Sequence, residues 1–113
     1  MHEMALAESV LGIVEDTARR EHASRVRAVR LEIGRLANVE IEAMRFCFDV
    51  VTRGSVADSA QLEIEETPGA GWCMRCAATV AIDSAVDACP VCGGCQVAVT
   101  GGTAMRVREL ELE

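Results

Sequence analysis

Apolar residues recur along residues 4–22 at helical spacing. Met4, Ala7, Leu11, Val14 and Ala18 form one stripe, widened by Leu6, Val10 and Ile13. Steps of three and four put these side chains on one face, so the segment predicts an amphipathic helix. Residues 25–34 change period: Val29, Leu31 and Ile33 alternate with Arg30 and Glu32, and Gly34 closes the run, as in a half-buried strand. A second helix is predicted next. Asn38 is placed to cap it, Glu40 and Glu42 fall in its first turn, and Ile41, Met44, Phe48 and Val51 make its buried stripe up to a stop at Gly54. Cys47, among Phe46, Phe48 and Val50, reads as a small buried hydrophobe. Residues 61–67 alternate again, Leu62 and Ile64 against Glu63 and Glu65. A last strand is predicted over 103–112. Its phase slips between Val107 and Leu110, which predicts a bulge or a sheet end.

Pro68-Gly69-Ala70-Gly71 breaks the alternation and Gly101-Gly102 marks the exit. Residues 69–102 therefore read as a module inserted between two strands of a domain formed by 1–68 plus 103–113, with glycines at both junctions that allow it to swing. Apart from its cysteines the insert offers Trp72, Val80, Ile82, Val86, Val91, Val97 and Val99, too little apolar surface for an unaided core. What it does have is Cys73-Met-Arg-Cys76 and, twelve residues on, Cys89-Pro-Val-Cys92. Each Cys-x-x-Cys turn aims two sulfurs at one spot, and two such turns on a short hairpin make the tetrahedral thiolate set that zinc prefers. Gly93 supplies the positive φ that a tight knuckle after the second pair requires. With all four positions filled by protein, the expected role is structural, and a metal worth about 10–16 kcal/mol in small peptides offsets the meagre core. Two disulfides or a four-thiolate iron site use the same ligands. A thioredoxin-like pair wants a single Cys-x-x-Cys opening a helix, which the glycines around Cys92 oppose. Cys95 makes a third overlapping Cys-x-x-Cys with Cys92 and reads as a spare thiol.

Composition narrows the classes. The chain has 113 residues and a formal net charge of −7, and all eleven of its basic residues are arginines. No apolar run approaches the ~20 residues of a membrane helix. Unpaired-looking cysteines and the lack of a signal peptide predict a cytoplasmic protein. Within 69–102 one cation, Arg75, faces Asp83 and Asp87, and the whole chain has Phe46, Phe48 and Trp72 as its aromatic residues. Nucleic-acid binding needs phosphate-neutralising cations and stacking aromatics, so no nucleic-acid partner is expected. Arg19, Arg20, Arg25, Arg27, Arg30 and Arg35 read as a solvated face, with a docking patch for an acidic protein as the sharper alternative. With two histidines and no nucleophile–base pair, the sequence does not predict an enzyme.

The start, Met1-His2-Glu3, carries specific chemistry. A terminal amine, the backbone nitrogen of residue 2 and the His2 imidazole can close adjacent chelate rings on one metal. Ni(II) and Cu(II) promote the amide deprotonation that this needs, and both accept square-planar nitrogen sites. The other histidine, His22, near the end of helix 1, reads as a favourable charge at a helix C-terminus.

The Met-His-Glu-Met-Ala-Leu start, the Cys-x2-Cys-x12-Cys-x2-Cys spacing with Cys-Pro-x-Cys-Gly, and Val-Arg-Leu-Glu-Ile-Gly between two helices together resemble the HypA/HybF family of nickel metallochaperones, over essentially the whole chain. The resemblance implies an α+β fold of two helices packed on a three-stranded sheet, with an inserted zinc-ribbon-like four-cysteine module. It implies that residues 1–68 plus 103–113 form the nickel-binding domain and 69–102 the zinc-binding domain. It implies nickel binding at His2, aided by the Met1 amine and the backbone nitrogens of His2 and Glu3, and structural zinc on Cys73, Cys76, Cys89 and Cys92. Implied partners are a HypB-type GTPase, the hydrogenase large subunit and, in some members, urease maturation factors, with the carrier a monomer or homodimer. No histidine adjoins the cysteine pairs, as one does in some relatives. The rival readings are a zinc-ribbon interaction or nucleic-acid-binding module, and a small iron electron carrier.

Overall fold

The computed structural model describes residues 2–113, and Met1, a predicted nickel ligand, lies outside the described residues. Two helices and six strands follow in the order α1 (His2–Arg20), β1 (Val26–Gly34), α2 (Ile41–Val51), β2 (Gln61–Thr67), β3 (Gly69–Cys73), β4 (Ala78–Ile82), β5 (Val97–Gly101) and β6 (Met105–Leu112). The strands form two three-stranded sheets, ordered β2-β1-β6 and β4-β3-β5. The fold is α+β. The chain divides into two compact units: one holds residues up to Leu31, Val39–Glu65 and Arg106–Glu113, the other Glu32–Asn38 and Glu66–Met105.

In the first unit, α1 starts two residues earlier than its apolar stripe predicts. Its buried positions are Ala7, Val10, Val14 and Ala18, spaced three, four and four apart. Val10 takes the central place expected of Leu11, and Ile13 is half exposed. The helix ends in a Schellman arrangement: Ala23 N–H donates to Ala18 O at 2.8 Å and His22 N–H to Arg19 O at 3.2 Å. His22 itself sits in the left-handed region, φ 55°. α2 packs against α1, burying Met44, Cys47 and Phe48 and leaving Phe46 exposed. Its cap is Glu40, whose side chain accepts the Glu42 N–H at 3.0 Å, and not Asn38. Asn38 instead adopts φ 58°, a left-handed turn that asparagine tolerates well. The helix stops at the Thr52 cap, whose hydroxyl donates to Phe48 O at 2.8 Å, two residues ahead of Gly54.

β1 contributes Val26, Ala28, Val29 and Leu31 to the core of this unit. Ala28 and Val29 are both buried, as are Ile33 and Gly34, so its alternation slips at these two places. On the other side of the sheet Arg30 lies 3.3–3.4 Å from Glu63 on β2 and from Glu109 and Glu111 on β6. Arg108 reaches Glu65 at 2.8 Å. β6 shows the predicted slip in burial between Val107 and Leu110 but runs on to Leu112, so no sheet end falls there.

The second unit is an antiparallel sheet. β3 pairs with β4, from Gly69 opposite Ile82 to Cys73 opposite Ala78. On its other side Cys73 opposes Val97 and Trp72 opposes Ala98, with a bulge between Ala70 and Gly71. Within Pro68-Gly69-Ala70-Gly71 a new strand begins, at Gly69. Gly102 has φ 82°, and a Cβ there would come within 2.6 Å of Pro68 O. Leu36 N–H donates to Gly102 O and Arg35 N–H to Thr67 O, both at 2.8 Å. The buried core is Cys73, Val80, Ile82 and Cys89, packed by Leu36, Cys76, Cys92 and Val97.

Candidate metal centres

Cys73 is the last residue of β3 and Cys76 lies in the turn to β4. Cys76 N–H donates to Cys73 Sγ at 3.4 Å. The turn closes through Ala77 at φ 50°, where the second knuckle has glycine. That second knuckle lies between β4 and β5. Cys89 Sγ accepts from Val91 N–H at 3.4 Å and Cys92 N–H at 3.5 Å. Cys92 Sγ accepts from Gly94 N–H at 3.4 Å. Gly93, at φ 74°, returns its N–H to Cys89 O at 2.9 Å, as the sequence predicts.

These turns gather four sulfurs within 4.8 Å of one another. Cys73 and Cys92 sulfurs are 3.7 Å apart, Cys76 and Cys89 sulfurs 3.9 Å. Four sulfurs at ~2.3 Å from a central zinc stand about 3.8 Å apart along each edge of the tetrahedron. The donor set therefore suits zinc in both chemistry and spacing, and all six cysteines are free thiols. Electrostatics argue the same way. The N–H groups of Cys92 and Val91 lower the Cys89 thiol to about 6 against burial, while the neighbouring Cys92 and Cys73 sulfurs push Cys76 up to about 12. One thiol ionises readily beside one that resists, as sulfurs crowded at one point do. Cys95 is exposed and outside the group, and Cys47 is buried in α2.

The second site is the start of α1. His2 is the first helical residue and its imidazole is 54% exposed. The first N–H groups of a helix have no intrahelical partner, so the nitrogens of His2 and Glu3 are not committed to the helix ladder. Glu3 is held. Its Oε2 accepts the Glu40 N–H at 3.1 Å and lies 3.4 Å from His2 Nδ1. The Glu40 N–H, then Glu3's own, lowers the Glu3 carboxyl below its ordinary value. The sequence alone does not bring Glu40 to this site. Its one signal is weak: an acidic residue directly before the α2 stripe, 37 positions from Glu3. Within the arginine run, Arg30 is engaged by three glutamates, Arg35 by Glu66 and Asp83, and Arg19 by Asp16.

Residues 1–112 match the family model described as "Hydrogenase/urease nickel incorporation, metallochaperone, hypA". This chain belongs to the HypA family. It is 64% identical over 113 residues to the hydrogenase maturation factor HypA of Dechloromonas aromatica (strain RCB), covering all of both chains. It is 62% identical over 112 residues to the HypA of Azoarcus sp. (strain BH72), covering 99% of this chain and 98% of that one. The solution structure of the nickel metallochaperone HypA from Helicobacter pylori shares the fold, with a TM-score of 0.69 at 22% identity over 97% of this chain and 96% of that one. HypA proteins are nickel-incorporation metallochaperones that act in hydrogenase and urease maturation, a carrier's task and not a catalyst's. Among the described residues, no helix is long and apolar enough to cross a membrane.

Proposed function

We propose that this chain binds Ni(II) through the Met1 amine, the His2 imidazole and the backbone nitrogens of His2 and Glu3, and hands it to the large subunit of nickel–iron hydrogenase. Cys73, Cys76, Cys89 and Cys92 hold a structural zinc that is not passed on. The domain of residues 1–68 plus 103–113 handles nickel, and 69–102 carries the zinc. Delivery occurs in the cytoplasm with a HypB-type GTPase, and urease maturation factors are a second set of partners.

One observation carries the reading: an exposed imidazole at the first residue of a helix, beside nitrogens that the helix leaves uncommitted. A carrier must bind selectively and still let go. A few nitrogens at a chain end release an ion more readily than a closed thiolate cage. Negative charge on a deprotonated amide is favoured at a helix N-terminus, although a square-planar chelate requires the first turn to unwind locally.

The test is titration calorimetry of Ni(II) into the untagged, zinc-loaded chain. Binding is expected at about pH 7.5 and lost at about pH 5.5, because amine and imidazole must shed protons to bind metal. His2→Ala, or residues added ahead of Met1, abolishes nickel binding and leaves zinc content unchanged. Equal nickel affinity in the extended chain would overturn the site.

A further inference from the structure

We infer that Cys95 is a redox-reactive thiol that, on attack by a peroxide, forms a disulfide with Cys92 and unseats the metal from the four-cysteine site. The inference rests on the zinc reading given above and concerns two residues that it leaves unequal.

Two cysteines lie outside the four-sulfur group. Cys47 is 2% exposed, whereas Cys95 is open to solvent. Cys95 therefore meets a dissolved oxidant first, without having to leave a metal. Its neighbour in sequence is the less protected member of the second knuckle. Cys89 is buried and its sulfur accepts two backbone N–H groups; Cys92 is partly exposed and its sulfur accepts one, from Gly94. Between Cys92 and Cys95 stand Gly93 and Gly94. A Cβ at Gly93 would meet nothing within 4 Å, so the loop is open on that side, while one at Gly94 would stand 3.4 Å from both Cys92 Sγ and the Arg75 side chain. Two adjacent glycines give that loop the conformational range to close an S–S bond of ~2 Å. The single N–H holding Cys92 Sγ comes from inside the same loop, and the Gly94 carbonyl also anchors Cys89 N–H at 2.8 Å. Drawing Cys92 towards Cys95 thus disturbs both ligands of the second knuckle.

The chemistry balances. The Cys95 thiolate attacks one peroxide oxygen, the O–O bond breaks, and a sulfenic acid and hydroxide result. Cys92 sulfur, leaving its metal, attacks the Cys95 sulfur; an S–S bond forms and a second hydroxide departs. Both hydroxides take up protons. In sum, two thiols lose two electrons and two protons, and hydrogen peroxide becomes two waters. Three thiolates at most remain where four closed the tetrahedron.

The experiment uses the full zinc-loaded chain, with zinc content measured first. Hydrogen peroxide at one equivalent is expected to release zinc to a chromogenic chelator. Peptide mass spectrometry is expected to find Cys92 joined to Cys95, and dithiothreitol to restore zinc binding. Cys95→Ser, an exposed change, is expected to hold the same zinc at the outset and to release it about tenfold more slowly under peroxide. Equal release rates in the two chains, or a disulfide between any other pair, would overturn the inference. A chain with no zinc at the outset counts against the zinc reading alone. The same disulfide map on metal-free protein then decides the pairing.

Discussion

His22 occupies the position that glycine takes in most Schellman helix ends: it is the left-handed residue, at φ 55°, between Glu21 and the Ala23 N–H that reaches back to Ala18 O. A side chain in that conformation costs about 1–2 kcal/mol, and glycine recovers it at an unfolded-state cost of about 0.4–1 kcal/mol. His22→Gly should therefore stabilise the chain by about 0.5–1 kcal/mol, read as a higher midpoint in thermal unfolding. The residue is exposed and the backbone makes the helix end, so nickel binding in this variant should equal that of the parent. A loss of nickel affinity would instead make His22 a ligand. Ala77 repeats the theme in the first Cys-x-x-Cys turn, at φ 50°, where Gly93 serves the second.

Between elements, the tie that matters to the proposed nickel site is one hydrogen bond, Glu40 N–H to Glu3 Oε2 at 3.1 Å, which joins the start of α1 to the cap of α2. Only the ionised carboxylate accepts it at full strength, which is why the Glu3 carboxyl is lowered. The folded value lies below the unfolded one. The bond therefore contributes fully above the ordinary glutamate range, about 4.3, and is lost as pH falls through the lower folded value. NMR titration should show the Glu3 carboxyl and the Glu40 amide shifting together, with a shared midpoint below that of Glu3 in denaturant. An amide that ignores the Glu3 midpoint would show that the bond does not form in solution. The Arg30 fan to Glu63, Glu109 and Glu111 works similarly across β2, β1 and β6. Its exposure limits its contribution to energy, while its cross-strand pairing favours one register.

At the scale of the whole molecule the two units differ in what holds them. The first has an apolar core drawn from two helices and a strand, including Val10, Val14, Leu31 and Met44. In the second, two of the four buried core residues are cysteines of the four-sulfur group, and two further cysteines pack around them. Removing the metal takes away the centre of that core. Chelation, or Cys73→Ser, should therefore strip hydrogen-exchange protection from β3, β4 and β5 while the amides of α1 and α2 stay protected. A loss of the order of 10 kcal/mol from the metal exceeds what so small an apolar cluster can supply alone. Uniform loss of protection across both units would contradict this picture, as would full zinc content in Cys73→Ser.

Much of this was written in local pattern. Helical spacing in residues 4–22, alternation in 25–34 and 61–67, and the two Cys-x-x-Cys turns depend on neighbours within a turn or two, so the chain alone dictated both helices, the flanking strands, the four-sulfur group and the left-handed Gly93. The tertiary structure decided what depends on partners far along the chain. β3, rich in Gly and Ala, and β5, five residues long, carry little signal until they lie side by side. Leu36 joins the core around Cys73 because Gly102 offers it a carbonyl. Glu40 displaces Asn38 as the α2 cap and at the same time meets Glu3. Local periodicity fixes which face of an element is apolar; only packing fixes what that face, or a cap beside it, finally touches.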